Sequence, residues 1–215
     1  MKPISILDKD FEQQVGKRGR NKTKAAEIEH AIRHHLDVDL SDDPDLQASF
    51  AEALAAIFKE FQDNWKKIYE ELEKLRERIT KASQEPTYGL DRKKHMPFFR
   101  CFKREIFGDT DEPEPVDGVL GEAAQAPFGN FTEEDRISAL VALTKEVYLA
   151  VERELNLTGF WESIPARKKL EQDLQRILLR KENKKLPGVF TKRRSLISRI
   201  MEIAEKNHDR IRRED

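Results

Sequence analysis

Apolar residues recur along most of the chain at steps of three and four, the spacing that places them on one face of an α-helix. The longest stripe lies between residues 137 and 155 and continues over about five helical turns. Similar stripes occupy residues 4–15, 28–36, 46–61, 65–79, 98–107, 170–178 and 196–204. No segment alternates apolar and polar residues as a half-buried strand would. The pattern predicts an all-α fold, an irregular bundle of about seven to eight helices.

Three predicted helices are preceded by residues that favour a helix start. Asp43 can cap a helix that begins at Pro44, because proline is favoured at the first helical position. Thr132 and Asp135 form a pattern close to a capping box, with aspartate in place of the usual glutamate. Thr191 is predicted to cap the last helix.

Glycine and proline are scarce, at nine residues each, and they cluster in a few segments. They mark two predicted loops, 83–96 and 108–131, within a single helical domain over 23–208. The second loop carries six acidic residues and no basic one, which predicts an exposed acidic loop. The remaining segments are an N-terminal helix with a basic loop over 1–22 and a polar tail over 209–215.

Composition narrows the possible function classes. Apolar and charged residues each make up 38% of the chain, which suits helices with one buried face better than a thick sheet core. The 40 basic and 41 acidic side chains leave a net charge of −1, so attraction to nucleic acid has to come from a local patch. The single cysteine excludes an internal disulfide. With no membrane-spanning run and no signal peptide, we expect a cytoplasmic protein with no membrane partner.

The sequence carries none of the motifs that ATP hydrolysis or DNA cleavage would need. There is no GxxxxGK[ST] phosphate loop, no GxGxxG and no GxSxG. A metal-dependent nuclease core needs carboxylates and a lysine on adjacent strands, and no strand is predicted. We therefore predict no catalytic residue, no metal site and no cofactor in this chain.

Histidine and cysteine residues each have a structural interpretation beside a chemical one. His30 and His34 are four residues apart and could face one metal ion on a helix, but the sequence offers no obvious further ligand. The favoured alternative is that both are solvated and that His35 is partly buried. Cys101 lies between aromatic residues, which favours a small core residue over a nucleophile.

Four segments, in order along the chain, resemble a known family. They contain Ile28-Glu29-His30-Ala31-Ile32-Arg33-His34-His35-Leu36 with Asp42-Asp43-Pro44; Tyr88-Gly89-Leu90-Asp91 with Met96-Pro97-Phe98-Phe99; Phe160-Trp161 with Leu170, Leu174 and Ile177-Leu178-Leu179; and Leu186-Pro187 with Arg193-Arg194 and Ile200-Met201-Glu202-Ile203-Ala204-Glu205-Lys206-Asn207-His208. Together they span roughly residues 24–208. They are similar to the C-terminal helical domain of the R subunit, the restriction and motor subunit, of type I restriction enzymes.

The resemblance implies a non-catalytic assembly domain. In this family the R subunit also carries a nuclease domain and two RecA-like domains that translocate DNA, so ATP and magnesium are expected only there. The complete subunit would be a type I site-specific deoxyribonuclease. The helical domain is expected to dock this motor onto the methyltransferase core of modification and specificity subunits, with sequence-independent contact to double-stranded DNA as a further option. The alternative is a stand-alone helical protein–protein adaptor unrelated to restriction.

Three basic clusters are candidates for contact with DNA phosphates. They are Lys17, Arg18, Arg20, Lys22 and Lys24; Arg100, Lys103 and Arg104; and Lys192, Arg193 and Arg194. The first cluster lies in a glycine-containing loop, and the alternative is a solvated loop without a ligand. The third lies at a predicted helix start, where positive charge is unfavourable and an acidic partner would compensate it.

Four aromatic residues are candidates for a partner interface. Phe160 and Trp161 lie in a turn beside Gly159, where exposed rings would anchor a partner, although packing between helices is the favoured alternative. Phe98 and Phe99 belong to a short helix with more apolar residues than one face can hold. Part of that cluster is therefore expected in the core and part against a partner.

Overall fold

A computed structural model of the chain describes residues 5–8, 10–16, 19–107 and 132–212. These residues are helical or lie in turns and connections, and no strand occurs among them. The predicted all-α class is therefore confirmed. The predicted acidic loop over 108–131 lies outside the described residues.

The chain divides into two compact units, Met1–Pro86 and Thr87–Asp215. Each unit has its own cluster of buried apolar residues. The sequence predicted a single domain over 23–208, and the structure instead has two cores within that range. The boundary falls in the predicted loop over 83–96, because the apolar stripes on either side of it are buried within their own unit.

Unit 1 is built on three long helices. Its elements are α1 (Phe11–Gly16), α2 (Asn21–Val38), α3 (Pro44–Phe61) and α4 (Trp65–Ser83). The connections over 39–43 and 62–64 are short, so each reverses the direction of the chain. As a result α2 and α4 run parallel, and both begin at the same end of the unit. The two helices pack against each other along their length.

Local side-chain bonds fix where the helices of unit 1 begin. The Asp43 side chain accepts a hydrogen bond of 3.0 Å from the Leu46 N–H, which confirms the predicted cap. Asn64 caps α4 in the same way, through a 3.3 Å bond from the Lys67 N–H. Gln47 donates to the Leu36 carbonyl at 3.0 Å and so ties the start of α3 to the last turn of α2.

The core of unit 1 is apolar, and its few buried polar groups are paired. Its largest contributions from the long helices are Ile28, Ile32, Leu36, Phe50, Leu54, Ile68, Leu72, Leu75 and Ile79. His35 is buried and lies 2.6 Å from the Asp39 carboxylate, whereas His30 and His34 are exposed. Arg76 is also buried, and its guanidinium bonds the Glu73 carboxylate at 3.1 Å.

Unit 2 is organised around its longest helix. Its elements are α5 (Met96–Phe107), α6 (Glu133–Leu155), α7 (Ile164–Leu178), a 3₁₀ helix (Lys181–Lys185), α8 (Pro187–Thr191), α9 (Arg193–Lys206) and α10 (His208–Arg212). The central helix α6 contacts α5, α7, the 3₁₀ helix and α10. Thr132 and Asp135 form the predicted capping box at its start, with both reciprocal bonds at 3.1 Å. Cys101 is fully buried in this core, as expected.

Two predictions for the C-terminal third are wrong. Thr191 does not cap the last helix, because it ends the short helix α8, where its hydroxyl donates to the Gly188 carbonyl at 3.2 Å. Pro187 occupies the first turn of α8, a position that proline suits. The predicted polar tail over 209–215 contains the helix α10, whose Ile211 is buried against the core.

One buried carboxylate ties α6 to α7. Glu154 is only 1% exposed, and both of its oxygens accept from the Lys169 ammonium at 3.0 Å. Arg153 adds a 3.1 Å bond to the same carboxylate and a 3.0 Å bond to Asp173 on α7. Burial by itself raises the pKa of Glu154, but the bonds from Lys169 and Arg153 outweigh it and hold the pKa below its ordinary value.

We predict that Lys169→Met lowers the stability of unit 2 by about 1–2 kcal/mol at pH 7, because it removes one charge-assisted pair and leaves Arg153 in place. A lowered carboxylate pKa stabilises the fold above its ordinary range, and this contribution is lost as the pH falls. The deficit of the variant should therefore be smaller in acid than at pH 7.

Urea unfolding at pH 7 and in acid measures this loss of stability. Trp161 fluorescence in a Trp65→Phe background follows the unfolding of unit 2. Lys168→Met is the matched control, since that exposed neighbour has no ion pair among the described residues. Equal stability of the two variants at pH 7 would contradict the assignment.

Close packing of α8 against α5 requires a glycine at position 188. A Cβ atom there would lie 3.1 Å from both the Cα and the Cγ2 of Ile106. Gly188→Ala should therefore lower the thermal midpoint, at a cost of about 1–3 kcal/mol. Gly19→Ala, which meets no atom within 4 Å, should leave it unchanged. Thermal unfolding by circular dichroism tests the pair, and a neutral Gly188→Ala would show that α5 and α8 do not pack this closely.

Candidate functional site

Basic side chains collect at the end of unit 1 where α2 and α4 begin. This cationic end comprises Arg20, Lys22 and Lys24 at the start of α2 and Lys66 and Lys67 at the start of α4. Lys24 is half-buried and the other four residues are exposed. The parallel course of the two helices brings together cations that are more than forty residues apart in sequence.

Two of these lysines lie on aromatic rings of the neighbouring helix. The Lys22 ammonium is 4.9 Å from the centre of the Trp65 ring, and the Lys24 ammonium is 5.7 Å from that of Tyr69. Each such contact at an exposed site contributes about 0.5–1 kcal/mol. The rings therefore restrict the lysines to the α2–α4 seam, and less side-chain entropy remains to be lost when an anion binds.

The backbone adds to the positive potential of this end. Neither α2 nor α4 has an acidic residue in its first turn, so the partial positive charge of both helix starts is left without an acidic side chain there. Lys67 is held only loosely by Glu70, at 3.7 Å, and Asp63 is an exposed acidic neighbour in sequence. The chain is almost neutral overall, yet this end suits an anionic polymer such as a phosphate backbone.

The sequence predicted some of the residues of this cationic end and missed others. Arg20, Lys22 and Lys24 lie together as proposed, while Lys17 and Arg18 lie outside the described residues. Sequence analysis missed Lys66 and Lys67. The signal for them was the run Trp65-Lys66-Lys67 directly after the capping residue Asn64, but assigning it required knowing that α2 and α4 are parallel.

The other two basic clusters are tied into unit 2. Arg100, Lys103 and Arg104 are half-buried, and each is engaged in an interaction within the structure. In the third cluster, Lys192 donates to the backbone carbonyl of Glu105 at the end of α5. Its charge at the start of α9 is thus compensated within the chain, and no acidic partner is required to explain it.

The remaining members of the third cluster differ from each other. Arg193 bonds the Phe190 carbonyl at 3.4 Å. Arg194 is exposed and has no ion pair among the described residues. Of this cluster, Arg194 alone keeps the exposed, unpaired character that the prediction of a phosphate contact assumed.

Burial corrects most of the predicted partner interface. Phe98 and Phe99 are 1% and 0% exposed, and Phe160 is 2% exposed. Their rings belong to the core of unit 2, because α5 lies against both α6 and α9 and has little exposed surface. Trp161 alone is half-exposed, with its ring 5.0 Å from that of Phe160.

Trp161 lies in a groove between α7 and α9. This α7–α9 groove has a volume of about 400 Å³. Its apolar residues are Trp161, Ile164 and Met201, and its acidic residues are Glu171, Glu202 and Glu205. Ile164 is 58% exposed, an unusual position for an isoleucine at the start of a helix. Sequence analysis identified Trp161 but not the groove, because α7 and α9 meet only in the folded chain.

The wall of the groove contains polar groups that are not satisfied. The indole N–H of Trp161 and the Nε–H of Arg167 are shielded from solvent, and neither has a hydrogen-bond partner among the described residues. An unsatisfied buried donor costs about 1–3 kcal/mol. Such groups are rare in native proteins, and water, an ion or another molecule can supply the partner that they lack.

A third set of polar residues, at the turn before α5, is structural. The Asp91 carboxylate accepts from the Lys93 and Lys94 amides at 2.9 and 2.8 Å, and the Asp91 N–H donates to Nδ1 of His95 at 3.1 Å. Burial lowers the pKa of His95 and raises that of Tyr148, whose rings lie 4.5 Å apart. A neutral His95 is required for this bond, so the turn is held by an uncharged imidazole.

The described residues contain no group of three histidine, cysteine or acidic side chains that could hold a metal ion. Within the same part of the chain, no helix has the length and apolarity needed to cross a membrane. Comparison with known proteins finds no matching protein-family model, no similar curated protein and no similar solved structure. The family resemblance therefore rests on its four sequence segments alone.

Proposed function

We propose that the chain is the helical assembly domain of a type I restriction enzyme R subunit, which docks the ATP-driven translocase and nuclease onto the methyltransferase core. The observation that supports this most directly is the composition of the α7–α9 groove. Trp161 belongs to the third segment of the family resemblance, and Met201 and Glu205 belong to the fourth. Two of the four segments thus line one open surface.

The groove has the character of an interface centre. A half-exposed tryptophan beside an exposed aliphatic side chain, with charged residues around them, is typical of the residues that dominate protein–protein binding. The unsatisfied N–H groups of Trp161 and Arg167 add donors that a partner's carbonyl or carboxylate could engage after small side-chain rotations. These features support docking of another protein in the groove.

The cationic end of unit 1 supports a second part of the same function. Lysines held on aromatic rings beside two helix starts favour the phosphate backbone of double-stranded DNA, without groups arranged to read bases. Within this proposal ATP, magnesium and the nuclease chemistry belong to the other domains of the complete subunit. The role of this chain is to hold those domains to the methyltransferase core and to DNA.

We predict that Ile164→Glu weakens capture of a methyltransferase core, assembled from the modification and specificity subunits of the same restriction system, by about tenfold. The reason is that a charged carboxylate replaces an exposed apolar contact beside Trp161 in the groove. Leu149→Glu is the matched control, because Leu149 is 61% exposed on α6 outside the groove lining. Pull-down titration measures the difference.

Failure of the unaltered chain to bind this core would overturn the docking role and would favour the stand-alone adaptor. Equal weakening by Ile164→Glu and Leu149→Glu would keep the docking role but remove it from the groove.

We predict that Lys22→Gln/Lys24→Gln reduces duplex DNA binding and lowers the slope of log affinity against log salt by about 1–2. Arg78→Gln/Lys81→Gln removes the same charge from exposed positions near the opposite end of α4, and should change the slope little. Fluorescence anisotropy over a salt series tests this with two unrelated duplex sequences. Equal slopes for the two double variants would place DNA contact elsewhere.

A further inference from the structure

A strained turn at the start of unit 2 displays an aromatic ring. The Leu90 N–H bonds the Thr87 carbonyl at 2.8 Å, which closes a β-turn whose central residues are Tyr88 and Gly89. Both have a positive φ, of 50° and 77° respectively. Glycine adopts this conformation freely, but a tyrosine does so at a cost, and such strain persists only where the surroundings enforce it.

The Tyr88 ring lies against the core and is also partly exposed to solvent. Its centre lies 5.6 Å from that of Phe99, which is fully buried in the core. Tyr88 itself is 47% exposed, so nearly half of a large side chain faces solvent. A partly exposed ring that rests against a buried one can serve as a platform on which another flat group stacks.

Three cationic residues follow Tyr88 closely in sequence. Arg92, Lys93 and Lys94 follow within six residues of Tyr88, and the first two are exposed. The Asp91 carboxylate, directly before these residues, accepts hydrogen bonds from the Lys93 and Lys94 amides. These bonds fix the backbone turn that carries the three cationic side chains. Arg92 and Lys94 are also engaged in interactions within the structure.

The central helix adds one more exposed cation. Lys145 of α6 is close enough to His95 to contribute to the lowering of its pKa, and Glu152 is the acidic group of α6 that opposes this effect. The turn and the part of α6 near His95 thus carry the four cations Arg92, Lys93, Lys94 and Lys145 and the two carboxylates of Asp91 and Glu152. The balance is positive, and it is independent of the cationic end of unit 1.

We propose that Tyr88, with Arg92, Lys93, Lys94 and Lys145, forms a contact site for single-stranded nucleic acid. An unpaired base stacks on the open side of the Tyr88 ring, and the cations hold the flanking phosphates. A duplex offers no free base face at this position, so the ring distinguishes a separated strand from a paired one. The site lies outside both the α7–α9 groove and the duplex contact proposed for unit 1.

The test measures binding of a fluorescein-labelled oligothymidylate of about 20 nucleotides to the full chain by anisotropy. The Lys22→Gln/Lys24→Gln background reduces the contribution of the cationic end of unit 1. Tyr88→Asn keeps a residue that tolerates a positive φ and removes the ring, and we expect a loss of about tenfold in affinity. Tyr88→Phe retains the platform and should bind within about twofold of the parent.

Three further measurements make the result decisive. Lys93→Gln/Lys145→Gln should weaken binding and reduce its salt dependence, while Lys168→Gln in the α7–α9 groove should not. A duplex of equal length should compete less well than the single strand. Circular dichroism of each variant checks that the fold is retained.

Equal affinity of the Tyr88→Asn and Tyr88→Phe variants would overturn the proposal, and so would competition by heparin or phosphatidylserine vesicles that does not depend on Tyr88. Either result would show a surface that attracts polyanions or anionic membranes through charge alone. Duplex binding by the chain with Lys22 and Lys24 intact reports on the proposed function separately, because the Tyr88 variants leave the cationic end unchanged.

Discussion

Burial of a single apolar stripe on each helix is the constraint on which the rest of this structure depends. Apolar residues make up only 38% of the chain, and charged residues are as common, so most helices can bury only one face. Each unit therefore closes its own core with its own helices. The helix α6 is the exception, because partners on several sides bury residues around much of its circumference. Its only buried carboxylate, Glu154, is held by cations from two helices.

Because most helices bury only one face, the surface carries many charged side chains. The contacts that each of them makes within the chain determine whether it is available to bind another molecule. Lys22 lies on the Trp65 ring and is exposed, whereas the Lys192 ammonium donates a hydrogen bond to a backbone carbonyl at the end of α5. Both were equally plausible phosphate contacts by composition. A cation on an aromatic ring remains available to an anion, while one that caps a helix is already committed to the fold.

Features set by neighbours in sequence could be predicted, and features set by distant contacts could not. The caps at Asp43 and Thr132 were correct because a capping bond joins residues three positions apart. Thr191 failed because Lys192, bound to α5, governs where α9 begins. Likewise Phe98 and Phe99 have the composition of an interface, and only the packing of α5 between α6 and α9 shows that they are core.

Residues within unit 2 also differ in whether they stabilise the structure around them. Asp91, His95 and the Thr132–Asp135 box satisfy backbone groups, and each lowers the energy of the turn or helix to which it belongs. Tyr88, with its positive φ, and Trp161, with its unsatisfied indole N–H, do the opposite. The positive φ and the unsatisfied N–H each raise the free energy of the folded chain in the absence of a partner. Both residues also have a partly exposed aromatic ring. Tyr88 and Trp161 are therefore positions at which a contact from another molecule can supply stabilisation that the chain itself does not provide.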